Sequence, residues 1–212
     1  MDVVVAGGHG QIALRLLKLL AQRGDRARGL IRNPDHAADL EAAGAEAVVC
    51  DMEDEQNLSP YVEGAEAIVF AAGAGAGSGP ERKRTVDLGA AVKLIDAAQA
   101  RGIRRYLMVS SVGADDPGSG SEEMRPYLEA KHEADEALAA SGLDFTIVRP
   151  GRLTDDAGTG LVAAGPDMPR GDVPRDDVAA TLAAALALEE TIGKTFVVVG
   201  GETPIEDALR VL

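Results

Sequence analysis

Val3-Val4-Val5-Ala6 runs straight into Gly7-Gly8-His9-Gly10, and those glycines run straight into a helical pattern from Gln11 to Arg23. Few junctions restrict a fold as much. Four consecutive apolar residues read as a strand covered on both faces. Ile12, Leu16, Leu17, Leu19 and Leu20 give the helix its apolar side. A buried strand, a tight glycine turn and a helix N-terminus together form an anion site. The bare backbone lets a pyrophosphate approach, and the free N–H groups of the first helical residues, Gln11 and Ile12, point at it. Gly7 and Gly10 keep the spacing of the first two glycines of a G-x-x-G-x-x-G/A pattern, with Ala13 as the small residue where helix meets strand. His9 lies inside the turn and reaches the same anion through its backbone.

Strand and helix patterns then alternate to the end of the chain. Arg26–Ile31 reads as a second strand, and Pro34 opens a helix that Gly44 ends. Ala45–Cys50 is a third strand, followed by a short helix around 56–62. Glu66–Ala71 is a fourth strand, running into the glycine-rich stretch 73–79, which is suited to a lid or to a plain surface loop. A long helix covers 82–101, and Arg104–Ser110 is a fifth strand. A helix over 122–141, a sixth strand over 143–148, a loose segment over 152–173, a helix over 174–190, a seventh strand over 195–199 and a last helix from Pro204 complete the reading. Short apolar strands alternating with helices predict a doubly wound parallel α/β sheet of the Rossmann type, with about seven strands. The whole chain, 1–212, reads as one domain, with 151–173 and 200–212 forming a small substrate side. Ligands then belong at the carboxyl ends of the strands.

Composition narrows the partners. With 21 basic against 35 acidic residues, the formal net charge is −14. That argues against nucleic acid and anionic membranes, which need basic surfaces. No apolar run approaches membrane-spanning length, and the first strand begins at once, so neither a membrane span nor a signal peptide is expected. The only cysteine is Cys50, which fits a reducing, cytoplasmic setting. His9, His36 and His132 lack any metal-ligand spacing, so no metal site is expected. The expected partner is a small-molecule substrate. The sequence leaves the oligomeric state open.

The second strand ends in Leu30-Ile31-Arg32-Asn33. An NAD-selective fold carries an acid there to hold the ribose 2′-hydroxyl. Arg32 offers instead a planar, permanently charged fork suited to a 2′-phosphate, which points to NADP; the competing reading is a solvated loop arginine. Asp51-Met52 closes the third strand. Asp51 either reaches the adenine amino group or caps the helix that follows.

Tyr127-Leu128-Glu129-Ala130-Lys131 places a phenol and an amine four residues apart on one helix face. Met124, Lys131, Ala134, Leu138 and Ser141 all fall within about 60° of Tyr127 on a helical wheel, so the pair lies in the apolar stripe. An ammonium beside a phenol stabilises the phenolate and lowers a pKa that is ordinarily about 10. Such a tyrosine can exchange a proton with a carbonyl oxygen, while the lysine also holds the nicotinamide ribose. The alternative is a structural tyrosine with a lysine that snorkels to the helix edge. Ser110 and Ser111 end the fifth strand, and Ser111 is the expected partner of the substrate oxygen.

Together these segments resemble the short-chain dehydrogenase/reductase superfamily, and within it the atypical NADP-binding branch labelled NAD(P)-dependent epimerase/dehydratase or NAD(P)H-binding protein. The resemblance rests on Gly7-x-x-Gly10-x-x-Ala13, Arg32-Asn33-Pro34, Val109 to Asp115, Tyr127-x-x-x-Lys131, Asp144 to Gly151 and Val199 to Ile205, and it spans nearly the whole chain. It implies that Ala71, Ala72, Gly73 and Pro150 line the nicotinamide side, and that Tyr127, Lys131 and a strand-five serine match the catalytic set. The superfamily's catalytic asparagine has no counterpart. Its place reads Thr85-Val86-Asp87, where the branch carries aspartate, so Asp87 matches it with its role open. Sugar-nucleotide epimerases also carry a larger C-terminal domain than 152–173 and the tail supply. The expected function is an NADP(H)-dependent oxidoreductase for a small carbonyl, quinone or flavin. The alternative is a non-catalytic NADP(H)-binding sensor.

Overall fold

In the computed structural model, which describes residues 1–75 and 77–212, the glycine junction is built as the sequence requires. Strand β1 (Asp2–Ala6) leads through the turn into helix α1 (Gln11–Gln22). There follow β2 (Arg26–Ile31), a 3-10 turn at Pro34–His36, α2 (Ala37–Ala42), β3 (Glu46–Val49), a second 3-10 turn at Ser59–Val62 and β4 (Ala67–Phe70). A single helical run then starts as α3 (Pro80–Arg82), widens to a π-helix over Lys83–Ala90 and ends as α4 (Ala91–Arg101). Next come β5 (Arg105–Val109), α5 (Arg125–Ala139), β6 (Asp144–Pro150), β7 (Arg152–Thr154), β8 (Leu161–Gly165) and β9 (Asp172–Pro174). The chain closes with α6 (Arg175–Ala187), β10 (Lys194–Gly200), β11 (Thr203–Pro204) and α7 (Ile205–Arg210).

The main sheet has nine strands in the order β11-β8-β10-β6-β5-β4-β1-β2-β3. The run β3-β2-β1-β4-β5-β6-β10 is parallel throughout and corresponds to the strands read from the sequence. Two further strands extend it. β8 pairs antiparallel with β10, and β11 pairs antiparallel with β8. Both come from the stretches read as loose segment and tail, and β7 and β9 form a separate two-stranded ribbon beside them. The short helix expected over 56–62 is only the 3-10 turn Ser59–Val62.

Strand alternation distributes the core between the two faces. Val3, Val5, Val69 and Leu107 face one cluster, with Leu16, Leu17 and Leu20 of α1 and Leu182 and Leu186 of α6. Val4, Ala6, Ile68, Phe70, Tyr106 and Met108 face the other, with Leu94 of α4 and Leu138 of α5. Because the central strands are covered on both sides, their residues are mostly apolar, and Arg28, Thr146 and Arg149 within them each find a polar partner. The strand order reverses between β1 and β4, so a crevice opens at their carboxyl ends, where an open α/β sheet takes its ligand.

Candidate active site

Gly7 adopts φ +77°, and a Cβ built there would stand 2.6 Å from the Cα of Ala72. The turn after β1 therefore lies directly against the chain leaving β4, and no side chain fits between them. Gly10 donates its N–H to the Gly7 carbonyl at 2.7 Å. As the residue before α1 it offers no capping side chain, and no acid occupies the helix's first turn. The free N–H groups of α1 are thus left for an outside anion. This bare cradle fits a dinucleotide pyrophosphate. Two cavities meet here, of about 300 Å³ and about 550 Å³, and both are lined by Gly10, Ala71, Ala72 and Gly73. Gly7 and His9 face the first and Ile12 the second, whereas Gln11 is exposed and lines neither.

The first cavity is bordered by Arg32, Asn33, Asp51 and Met52. Arg32 Nη1 stands 3.3 Å from Glu53 Oε2, which Arg82 Nη2 approaches to 3.2 Å. Thr85 donates its hydroxyl to Glu53 Oε1 at 2.8 Å. Burial pushes the Glu53 carboxyl up, but the Thr85 hydrogen bond and the two guanidinium groups outweigh it and hold the group below the usual carboxylate range. Asp51 Oδ1 accepts the Glu53 N–H at 3.0 Å, so it closes a turn rather than capping a regular helix. The rings of His9 and His36 stack with centroids 3.6 Å apart, and His9 Nε2 lies 2.8 Å from Asp39 Oδ2. Cys50 also lines this cavity. Burial, with Glu55 and Asp51 nearby, pushes its thiol up to about 12, which keeps it protonated.

The second cavity brings together Tyr127, Lys131, Asp87, Ser110, Ser111 and Pro150. Tyr127 and Lys131 sit one turn apart on α5, with Tyr127 half-buried and Lys131 only 3% exposed. Lys131 donates to the Val109 carbonyl at 3.1 Å and stands 3.2 Å from Asp87 Oδ1. Its Nζ lies over the Phe70 ring at 5.7 Å and the Tyr127 ring at 5.8 Å. Burial opposes its charge, yet Tyr127, Asp87 and Asp135 around it raise its pKa above the ordinary lysine value. Asp87 is fully buried in the π-helical segment, and its Oδ2 accepts the Ala74 N–H at 3.1 Å. One carboxylate thus faces the buried amine and pins the chain just beyond β4. Ala76, inside the glycine-rich stretch read as a lid or surface loop, lies outside the described residues.

The two serines part company. Ser110 is buried and gives its hydroxyl proton to Asp135 Oδ2 at 2.8 Å. Ser111 is half-buried and, among the described residues, its hydroxyl is bonded only to the neighbouring Val112 carbonyl at 3.2 Å. Asp135, on α5 four residues after Lys131, also receives Arg149 Nε at 3.0 Å. Burial raises its pKa, and Arg149 and Ser110 offset this only in part. Asp135, Arg149, Glu53 and Arg82 were not among the residues singled out from sequence. For Asp135 a signal existed, since it lies one turn beyond Lys131. A third cavity of about 630 Å³ shares Ser111, Met124 and Gly151 with the second and is walled by Arg152 and Asp172 of the β7–β9 ribbon.

Comparison with known proteins agrees with this geometry. The model of the family described as NAD(P)H-binding matches residues 7–189. The chain belongs to the NAD(P)H-binding family. It is 42% identical over 214 residues to the uncharacterized sugar epimerase YhfK of Bacillus subtilis, covering 100% of each chain. A solved Bacillus halodurans structure, described as an NAD-dependent epimerase/dehydratase, superimposes with TM-score 0.96 at 40% identity over 100% of both chains. The oxidoreductase ylbE from Lactococcus lactis gives TM-score 0.88 at 28% identity, covering 100% of this chain and 96% of that one. This NAD(P)H-binding chain is therefore a Rossmann domain, as its glycine motif implies. No helix among the described residues is long and apolar enough to cross a membrane.

Proposed function

We propose that the protein is an NADP(H)-dependent oxidoreductase that reduces a small carbonyl, quinone or flavin in the cytoplasm. The observation that carries this reading is the half-buried Tyr127 with the charged Lys131 ammonium over its ring in the wall of the second cavity. When bound there, the reduced nicotinamide supplies the hydride. Tyr127 supplies the proton to the substrate oxygen, and the Lys131 ammonium stabilises the phenolate left behind. Ser111, whose hydroxyl has only a weak local partner, orients that oxygen. Ser110 is spoken for by Asp135. The substrate approaches from the third cavity, next to Ser111. The name of the Lactococcus relative, an oxidoreductase, agrees with this chemistry.

Arg32 carries the preference for NADP(H). NADPH should bind at least about tenfold more tightly than NADH, a difference of about 1.4 kcal/mol. Calorimetry on the wild type and on Arg32→Ala measures it. The gap should shrink in the variant, and equal affinities in the wild type would sink the assignment. A second reading, an NADP(H)-binding sensor, is favoured by Asp87 standing where the superfamily carries asparagine. A screen of NADPH oxidation against carbonyls, quinones and flavins separates the two, since the sensor binds NADPH and oxidises it with none of them.

A further inference from the structure

We propose that Glu53 competes with the cofactor's 2′-phosphate for Arg32, so that this one carboxylate sets how far the protein prefers NADP(H) to NAD(H). The proposal rests on the reading of Arg32 as the phosphate-binding residue. Arg32 leaves the end of β2, and Arg82 belongs to α3 on the far side of the crevice, yet both guanidinium groups converge on Glu53 Oε2 at 3.3 Å and 3.2 Å. Two like charges brought together need an anion between them. Glu53 is that anion here, and a phosphate is the other group that suits it, because a guanidinium fork serves either. All three side chains line the cavity that opens beside the glycine turn.

Glu53 is the more fixed partner. Its side chain is only 25% exposed, and Thr85 donates to its second oxygen. Arg32 is the looser one, with a side chain 57% exposed and a single ion pair. An exposed carboxylate pair is weak, whereas a phosphate offers more charge and more acceptor oxygens, so Arg32 is free to change partners when the 2′-phosphate arrives. The exchange still has a cost. The apparent affinity falls in proportion to the time Arg32 spends on Glu53. NAD(H) has a hydroxyl at the same position and no anion to offer Arg32, so its affinity is untouched by this competition.

Calorimetry on the full chain tests the proposal with NADPH, NADH, adenosine 2′,5′-bisphosphate and 5′-AMP as ligands. Glu53→Gln keeps the shape and the acceptor for Thr85 while removing the charge. It should bind NADPH and the bisphosphate roughly two- to fivefold more tightly, the scale of one exposed ion pair. NADH and 5′-AMP should bind as before. In the Arg32→Gln background the same change should give no gain. Unchanged or weaker NADPH binding in Glu53→Gln overturns the proposal, as does an equal change for NADH, which would make Glu53 a ribose or adenine contact. A gain that persists without Arg32 overturns it too. Failure of the underlying reading looks different: the wild type then binds NADPH and NADH alike, and Arg32→Gln alters neither.

Discussion

At the scale of single residues, the site turns on keeping an ammonium charged where burial would discharge it. Lys131 has almost no contact with water, but a carbonyl, a carboxylate and two aromatic faces surround it. Its charge can then act on Tyr127 with little screening. Tyr127→Phe keeps the packing and removes the ionisable hydrogen. Turnover should fall by roughly 10²–10⁴, the range for losing a general acid, with NADPH affinity nearly unchanged. Lys131→Ala should damage both. Stopped-flow NADPH oxidation and calorimetry read the two effects, and wild-type turnover in Tyr127→Phe would remove the acid role. This pair was legible in the sequence because four-residue spacing on one helix fixes proximity. The Glu53–Arg82 contact was not, because it joins a loop to a helix start 29 residues away. Nor was the Ser110–Asp135 contact, which joins a strand end to a helix 25 residues further on, although both serines line the same cavity.

Among the elements, the π-helical stretch Lys83–Ala90 is the one that a sequence pattern could not supply. The apolar spacing over 82–101 predicts one uninterrupted helix, and the run is indeed continuous, but its first half is wound more loosely. A π-helix is rare and recurs at functional sites. Here it carries Asp87, which ties three elements together: its own segment, α5 through Lys131, and the chain after β4 through Ala74. Asp87→Ala leaves a buried cation without its nearest carboxylate and should cost about 3 kcal/mol of stability. Urea unfolding measures this, and a loss within error of zero would show that Asp135 and Val109 suffice. The parallel strands were legible because most are short, largely apolar runs, the inner ones covered on both faces. β8 and β11 were not. β8 is a short apolar run inside a stretch rich in Gly, Pro and Asp, and β11 is only two residues long; β8 becomes a strand by pairing onto β10, and β11 by pairing onto β8.

For the whole molecule, charge governs behaviour in acid. With a sequence pI near 4.6, mutual repulsion disappears there and solubility should pass through a minimum. Stability should outlast solubility. The Arg104 hydrogen bond holds the Asp144 carboxyl below its usual range, and Arg152 does the same for Asp172. Groups depressed in the folded state stabilise it above the unfolded value of about 4 and lose that contribution as pH falls through their folded values. Asp135, raised by burial, acts in the opposite direction: its cost appears as pH rises above the unfolded value. Melting followed by circular dichroism should therefore give a nearly level Tm through neutral pH and a decline below about pH 4. Light scattering should peak higher, near pH 4.6. A Tm already falling well above pH 5 would contradict this balance.

The last strand has a bearing on crowding. β11 is two residues long and ends the sheet with Pro204, paired to Leu161 of β8. Proline has no N–H to give, and an open sheet margin is the usual template on which chains stack into fibrils. That margin is blunted by two residues, so copies held at high concentration find no ladder there to lengthen.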